Sequence, residues 1–154
     1  MKTRILSVLT IVAAALLCAC QAQKPSFVEV KDGKLVCEDY PSHYVGTNFW
    51  YGAILGSEGV GGDRARLEAE LDTLKALGMT NLRVLVGGDG PDGIPTRVSP
   101  TLQKEPGVYN DTIFWGLDYL LAEMGERNMK AVLYINNSWE WSGGYGMYLE
   151  WAGE

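Results

Sequence analysis

Two short runs of alternating polar and apolar residues, Phe27-Val28-Glu29-Val30-Lys31 and Lys34-Leu35-Val36-Cys37, flank Asp32-Gly33. Asp-Gly between β-prone runs predicts a tight hairpin, because both turn positions require positive φ. A third strand is predicted over Tyr44–Trp50, which is rich in aromatic and β-branched residues. The glycine-rich stretch Gly52–Gly62 reads as a loop. Asp63 then caps a helix whose Leu67, Leu71, Leu74 and Leu77 share one face, and Gly78 marks its C-terminal stop.

Met79–Val86 predicts a strand, nearly continuous in apolar character apart from Arg83. A long loop, Gly87–Tyr109, holds four of the six prolines. Asn110 caps a second predicted helix with Phe114, Leu117, Leu121 and Met124 on one face. Lys130–Ile135 reads as another buried strand, Asn136–Gly146 as a loop, and Met147–Trp151 as the start of a third helix. The order is a hairpin followed by β-α-β-α-β-α. Strands apolar on both faces belong to parallel sheets covered by helices, so the class is α/β. On pattern alone an open doubly wound sheet and a closed barrel compete. Three parallel strands cannot close a barrel, and a complete eight-unit one takes roughly 250 residues. The chain is therefore read as the N-terminal part of a longer protein.

Composition narrows the setting. The chain has 154 residues, 47% hydrophobic and 21% charged, which are globular proportions. Lys2 and Arg4 precede an apolar run, Ile5–Leu17, too short to span a bilayer and suited to a secretory leader. The run ends in Leu17-Cys18-Ala19-Cys20, which resembles a bacterial lipobox. That resemblance implies cleavage after residue 19, lipid on Cys20, and a polar tether over 20–26. No Asp follows Cys20, so the outer membrane of the cell envelope is the expected destination, reached through the lipid anchor only. A plain signal peptide with incidental cysteines is the alternative. Without the leader's Lys2 and Arg4, 11 basic residues face 19 acidic ones, which excludes a nucleic-acid partner that needs a basic patch.

Cys37 is the one cysteine beyond the leader and is expected to be a small buried hydrophobe. His43, the only histidine, is expected in a surface turn. These counts leave no thiolate or histidine metal site, and no cofactor is called for. Gly88-Asp89-Gly90-Pro91-Asp92-Gly93 matches G-x-G-x-x-G, but Pro91 and Pro95 intervene where a dinucleotide fold would open a helix.

The informative feature is where polar and aromatic residues collect. Asn48 and Trp50 end one predicted strand, Arg83 lies in the next, and Asn136, Asn137, Trp139 and Trp141 follow the third. Parallel β/α folds bind ligands at the C-terminal ends of their strands. Flat indoles suit the apolar faces of sugar rings, and amides suit ring hydroxyls. Arg83 in an apolar strand calls for a carboxylate partner. Tyr51 and Glu140 are secondary candidates, while Trp115 and Trp151 are read as packing.

Val45-Gly46-Thr47-Asn48-Phe49-Trp50, Asn81-Leu82-Arg83-Val84, Pro106-Gly107-Val108-Tyr109-Asn110 and Asn136-Asn137-Ser138-Trp139-Glu140-Trp141-Ser142-Gly143-Gly144 together resemble the N-terminal part of a family 5 glycoside hydrolase, in its endo-β-1,4-mannanase branch. The resemblance runs from Phe27 to the end. It implies an incomplete (β/α)8 TIM barrel preceded by a hairpin, acting as a monomer on β-mannan polysaccharides. It gives Arg83 the supporting role of holding the nucleophilic carboxylate. Trp50, Asn136, Asn137, Trp139 and Trp141 become substrate-binding residues. The family's acid/base and nucleophilic glutamates belong to strands four and seven, beyond the regions matched, so the 154-residue chain is expected to be inactive alone. A non-catalytic glycan-binding lipoprotein and a related β-glycanase such as an endoglucanase are the other readings.

Overall fold

A computed structural model describes residues 27–38 and 40–154. The leader, the tether and Cys20 lie outside the described residues. The chain divides into two units, 1–43 and 44–154. In the first, β1 (Val28–Lys31) pairs antiparallel with β2 (Lys34–Cys37). The turn between them is the predicted one, with Asp32 at φ 51° and Gly33 at φ 73°. The alternation did not reveal β3 (Tyr40–Pro41), which adds to β2. Cys37 is half-buried rather than buried, and His43 is exposed.

The second unit holds β4 (Gly46–Asn48), α1 (Gly52–Gly56), α2 (Arg64–Ala76), β5 (Asn81–Leu85), β6 (Gln103–Glu105), β7 (Val108–Tyr109), α3 (Asp111–Glu126), β8 (Lys130–Tyr134), a 3-10 turn (Glu140–Ser142) and α4 (Gly144–Ala152). β4, β5 and β8 form a parallel sheet in chain order. Both predicted caps are present: Asp63 Oδ1 accepts from the Arg66 N–H at 2.9 Å, and Asn110 Oδ1 from the Thr112 N–H at 3.2 Å. Gly78 has the expected left-handed backbone, φ 81°.

The sheet has two unlike faces. Leu82 and Val84 point into a core built with Phe49 and Leu55, Leu67 and Leu71 of α2, and Ile113, Leu120 and Met124 of α3. On the opposite face, Asn48, Arg83 and Val132 stand in register across the three strands. All three are exposed.

Several expectations change. The Gly52–Gly62 loop contains α1, and Gly56 within it serves close approach rather than freedom. A Cβ on Gly56 would lie 2.3 Å from the Gly116 carbonyl oxygen, and one on Gly116 2.1 Å from that of Ala53. The two helices therefore touch backbone to backbone. Leu77 is the C-cap of α2 and 68% exposed, because the helix ends before it completes the stripe. The buried face of α3 is centred on Ile113, Leu117, Leu120 and Met124, with Phe114 and Leu121 at its margins. Trp115 points away from that face and is exposed. β8 is not a buried strand: Val132, Leu133 and Ile135 are exposed, since among the described residues it pairs only with β5. The long loop is partly ordered by β6 and β7, an antiparallel pair around Pro106-Gly107. That dipeptide is itself a turn signal.

Two predictions follow from the helix layer. Gly116→Val drives a branched side chain into the α1 backbone and costs about 3 kcal/mol in urea unfolding. Tyr119 on α3 donates to Glu68 Oε1 of α2 at 2.5 Å, with the Arg64 guanidinium 4.1 Å above its ring. The bond to Glu68, with burial, pushes its phenol up to about 12 from 10.0. A raised phenol pKa favours the folded chain below pH 10, and this contribution is lost as pH rises toward 12. Tyr119→Phe should remove the last phenolate transition from an alkaline absorbance titration.

Candidate functional site

The open face of the sheet continues upward into a groove of about 530 Å³, lined by Asn48, Trp50, Arg83, Tyr134, Asn137, Trp139 and Trp141. Each position follows from the strand that carries it. Asn48 closes β4, and Trp50 lies just beyond it. Arg83 is central in β5, facing away from Leu82 and Val84. Tyr134 ends β8 in register with Leu85, and the other three follow on the next loop. The expected gathering of an arginine and indoles on one side of the sheet is thus observed.

Arg83 differs from expectation in its surroundings. The side chain is exposed, and among the described residues no carboxylate pairs with it. Its guanidinium carbon lies 3.7 Å over the Tyr134 ring centroid. Nη1 reaches Asn48 Oδ1 at 3.4 Å, a long and weak hydrogen bond. The face of an aromatic ring attracts a cation, and the delocalised guanidinium is weakly hydrated, so stacking replaces ion pairing here. Tyr134 was not singled out in the sequence. Its signal is alternation: it lies two residues beyond Val132, on the Arg83 side.

Trp50 and Trp141 meet edge to face, with ring centroids 4.7 Å apart at 83°. Trp139 is 72% exposed beside them. Asn137 Oδ1 accepts from the Trp139 N–H at 3.3 Å, which holds the loop turn. Asn136 is the exception among the predicted residues. It does not line the groove, because alternation at the strand end turns consecutive residues apart; its side chain instead bonds the Tyr148 hydroxyl on α4. The Tyr148 phenol is raised by burial and by its bond to Asp89. Tyr51 also lies elsewhere, donating to Glu70 Oε2 of α2 at 2.8 Å. Burial, then Glu70, raises its phenol. Glu140 is exposed outside the lining, and Trp151 packs edge to face on Tyr148.

The G-x-G-x-x-G segment opens no helix before Asp111. Its Asp92 accepts from the Thr101 N–H at 2.6 Å and pairs with Lys104 at 2.7 Å. Burial works to raise this carboxyl, but the bonds from Lys104 and Thr101 outweigh it and hold the group below its ordinary range. The segment is a folded support. Among the described residues no three His, Cys, Asp or Glu side chains gather to hold a metal ion.

Parallel strands alternating with helices, with polar and aromatic residues at the strand ends, are the repeating units of a β/α barrel. The family model described as "GH family 5 beta-mannosidase-like" matches residues 25–154. This chain belongs to glycoside hydrolase family 5, and its sheet is a partial TIM barrel. The putative mannan endo-1,4-beta-mannosidase 9 of Oryza sativa subsp. japonica is 31% identical over 148 residues, covering 94% of this chain and 34% of its own length. A mutant family 5 mannosidase from Rhizomucor miehei, solved in complex with mannosyl-fructose, is 40% identical with a TM-score of 0.78. The match covers 82% of this chain and 31% of that one. The endo-1,4-beta-mannanase of the same organism, at 22% identity and TM-score 0.66, shares the fold over 83% of this chain and 34% of its own. The chain thus spans about a third of the length of the relatives it matches.

Because Arg83 is solvent-facing and stacked, Arg83→Ala should cost no more than about 1 kcal/mol of stability in urea unfolding. A loss of about 3–5 kcal/mol would instead indicate a buried ion pair.

Proposed function

We propose that this chain supplies one wall of the substrate groove of a retaining endo-β-1,4-mannanase, exported and lipid-anchored through Cys20 at the outer membrane, acting as a monomer on β-mannan. The observation that carries the reading is the shared open face of Arg83, Asn48, Tyr134, Trp50, Asn137, Trp139 and Trp141. Aromatic faces take the C–H faces of pyranose rings, while the guanidinium and amides donate to hydroxyls. Family membership and relatives whose names specify mannan support the choice of sugar.

None of the seven lining residues is a carboxylate. Retaining hydrolysis uses two, roughly 5–5.5 Å apart. The 154-residue chain alone therefore binds mannan without cleaving it, and a protein that also carries the two family glutamates cleaves it. In that protein Arg83 orients and keeps ionised the nucleophilic carboxylate. A mannosidase that trims chain ends is the second reading, favoured by 40% identity to the Rhizomucor miehei mannosidase. Release of mannose alone, rather than mannooligosaccharides, by the longer protein selects it.

The test is affinity electrophoresis of the chain through gels containing mannan or a soluble cellulose. Retardation by mannan, reduced about tenfold in affinity by Trp50→Ala or Trp141→Ala (roughly 1.4 kcal/mol), supports the proposal. Retardation only by cellulose selects an endoglucanase. Unretarded wild-type migration in both gels removes the glycan reading. The anchor is tested separately: metabolic labelling with palmitate should mark the protein and be lost in Cys20→Ser.

A further inference from the structure

The groove's aromatic corner depends on a loop whose own bonds, such as Ser142 N–H to the Trp139 carbonyl and Gly143 N–H to the Glu140 carbonyl, are all local. Trp141 sits in the 3-10 turn after β8, beside an exposed Glu140 and a 72% exposed Trp139. What holds it is the segment following β5. The Val98 N–H donates to the Trp141 carbonyl at 2.8 Å. One residue on, the Ser142 carbonyl accepts from the Asp89 N–H at 2.9 Å. Gly143 has φ 96°, and a Cβ there would lie 2.4 Å from the Asp89 carbonyl oxygen. The turn after Trp141 therefore lies directly against Asp89.

The Asp89 side chain extends the same clasp. Oδ2 accepts from the Tyr148 hydroxyl of α4 at 2.9 Å, and Oδ1 from Gln103 Nε2 at 3.1 Å. Gln103 is itself fixed: it is 9% exposed, and its Oε1 accepts from the Gly107 N–H at 2.9 Å in the β6–β7 turn. Tyr148 also bonds Asn136, at the end of the third parallel strand. One half-buried carboxylate thus links the second strand's loop, the β6–β7 pair and α4 around the base of the Trp141 turn. Asp89 does not itself line the groove.

We propose that the Asp89 side chain is a positioning group, which through Tyr148 and Gln103 fixes the loop whose backbone carries the Ser142 and Trp141 contacts, and so holds Trp141 edge-on to Trp50 and sets the shape of the groove. Its geometric part stands apart from any ligand; its consequence for mannan rests on the function proposed above. A charged acceptor suits the place, because two neutral donors converge on it and charge-assisted bonds are shorter and stronger than neutral ones.

The experiment uses the full chain with Asp89→Ala, Asp89→Asn, Tyr148→Phe and Trp141→Phe. Circular dichroism reads the coupled-indole signal of the Trp50–Trp141 pair, and thermal unfolding is followed in parallel. Trp141→Phe sets the zero of that signal. The expected result is loss of at least about half of the signal in Asp89→Ala, a smaller loss in Tyr148→Phe, and recovery in Asp89→Asn, whose amide donates to the Tyr148 oxygen. All variants should keep a cooperative transition. Should Asp89→Ala not fold, Tyr148→Phe decides alone, since it removes one hydroxyl and keeps the ring on Trp151. A full indole signal in every folded Asp89 and Tyr148 variant overturns the proposal. A fluorescence titration with mannohexaose completes the set: Asp89→Ala should weaken binding about tenfold. Loss of the indole signal in Asp89→Ala, with a wild-type chain that binds no mannohexaose, supports the clasp and removes the mannan reading.

Discussion

Side-chain alternation along β5 sets the rest of this structure. Leu82 and Val84 must both face α2 and α3, so Arg83 between them must face away. Moving β5 by one residue would put a guanidinium among the leucines and a valine in the groove. Hydrophobic burial on one face thus fixes the chemistry displayed on the other. The parallel register then carries the effect sideways, placing Asn48 and Val132 in line with Arg83 and Tyr134 one step above.

The face so displayed has a definite chemical character. The Arg83 guanidinium lies over the Tyr134 ring, which satisfies the ring face, and its Nη1 reaches Asn48. Trp50 and Trp141 stand perpendicular, so they present a corner rather than a continuous floor. The wall offers aromatic surface, amides and one positive charge. Neutral polyols match this surface well.

Much of this was legible in the sequence, for identifiable reasons. Asp32-Gly33, Asp63, Gly78 and Asn110 act through local backbone chemistry, and each occurs where its own residue type requires. Arg83, Trp50, Asn137, Trp139 and Trp141 could be placed together because strand ends in a parallel sheet share one rim. Features that depend on distant partners were not legible. Gly56 reads as a loop residue until Gly116, sixty positions later, is seen against it. Tyr134 looks like any strand aromatic without the register that sets it under Arg83. Asn136 and Asn137 are indistinguishable in sequence, yet one lines the groove and its neighbour bonds Tyr148.

The segment from Gly87 to Tyr109 explains why this last division is stable. A loop following a strand makes mostly local turn bonds, and Trp139 and Glu140 beside Trp141 are exposed. It is held because a second loop is ordered enough to serve as its floor. That order comes from positive-φ glycines at 90, 93 and 107, from the β6–β7 pair and from the Asp92 bonds to Thr101 and Lys104. Residues that resemble a nucleotide motif are therefore used to build a scaffold. Without that floor, Trp141 would have to order itself on binding, and each ligand would meet that entropic cost. With it, the Trp50–Trp141 corner is formed in the free chain. The irregular segment thus shapes the groove as much as the sheet does.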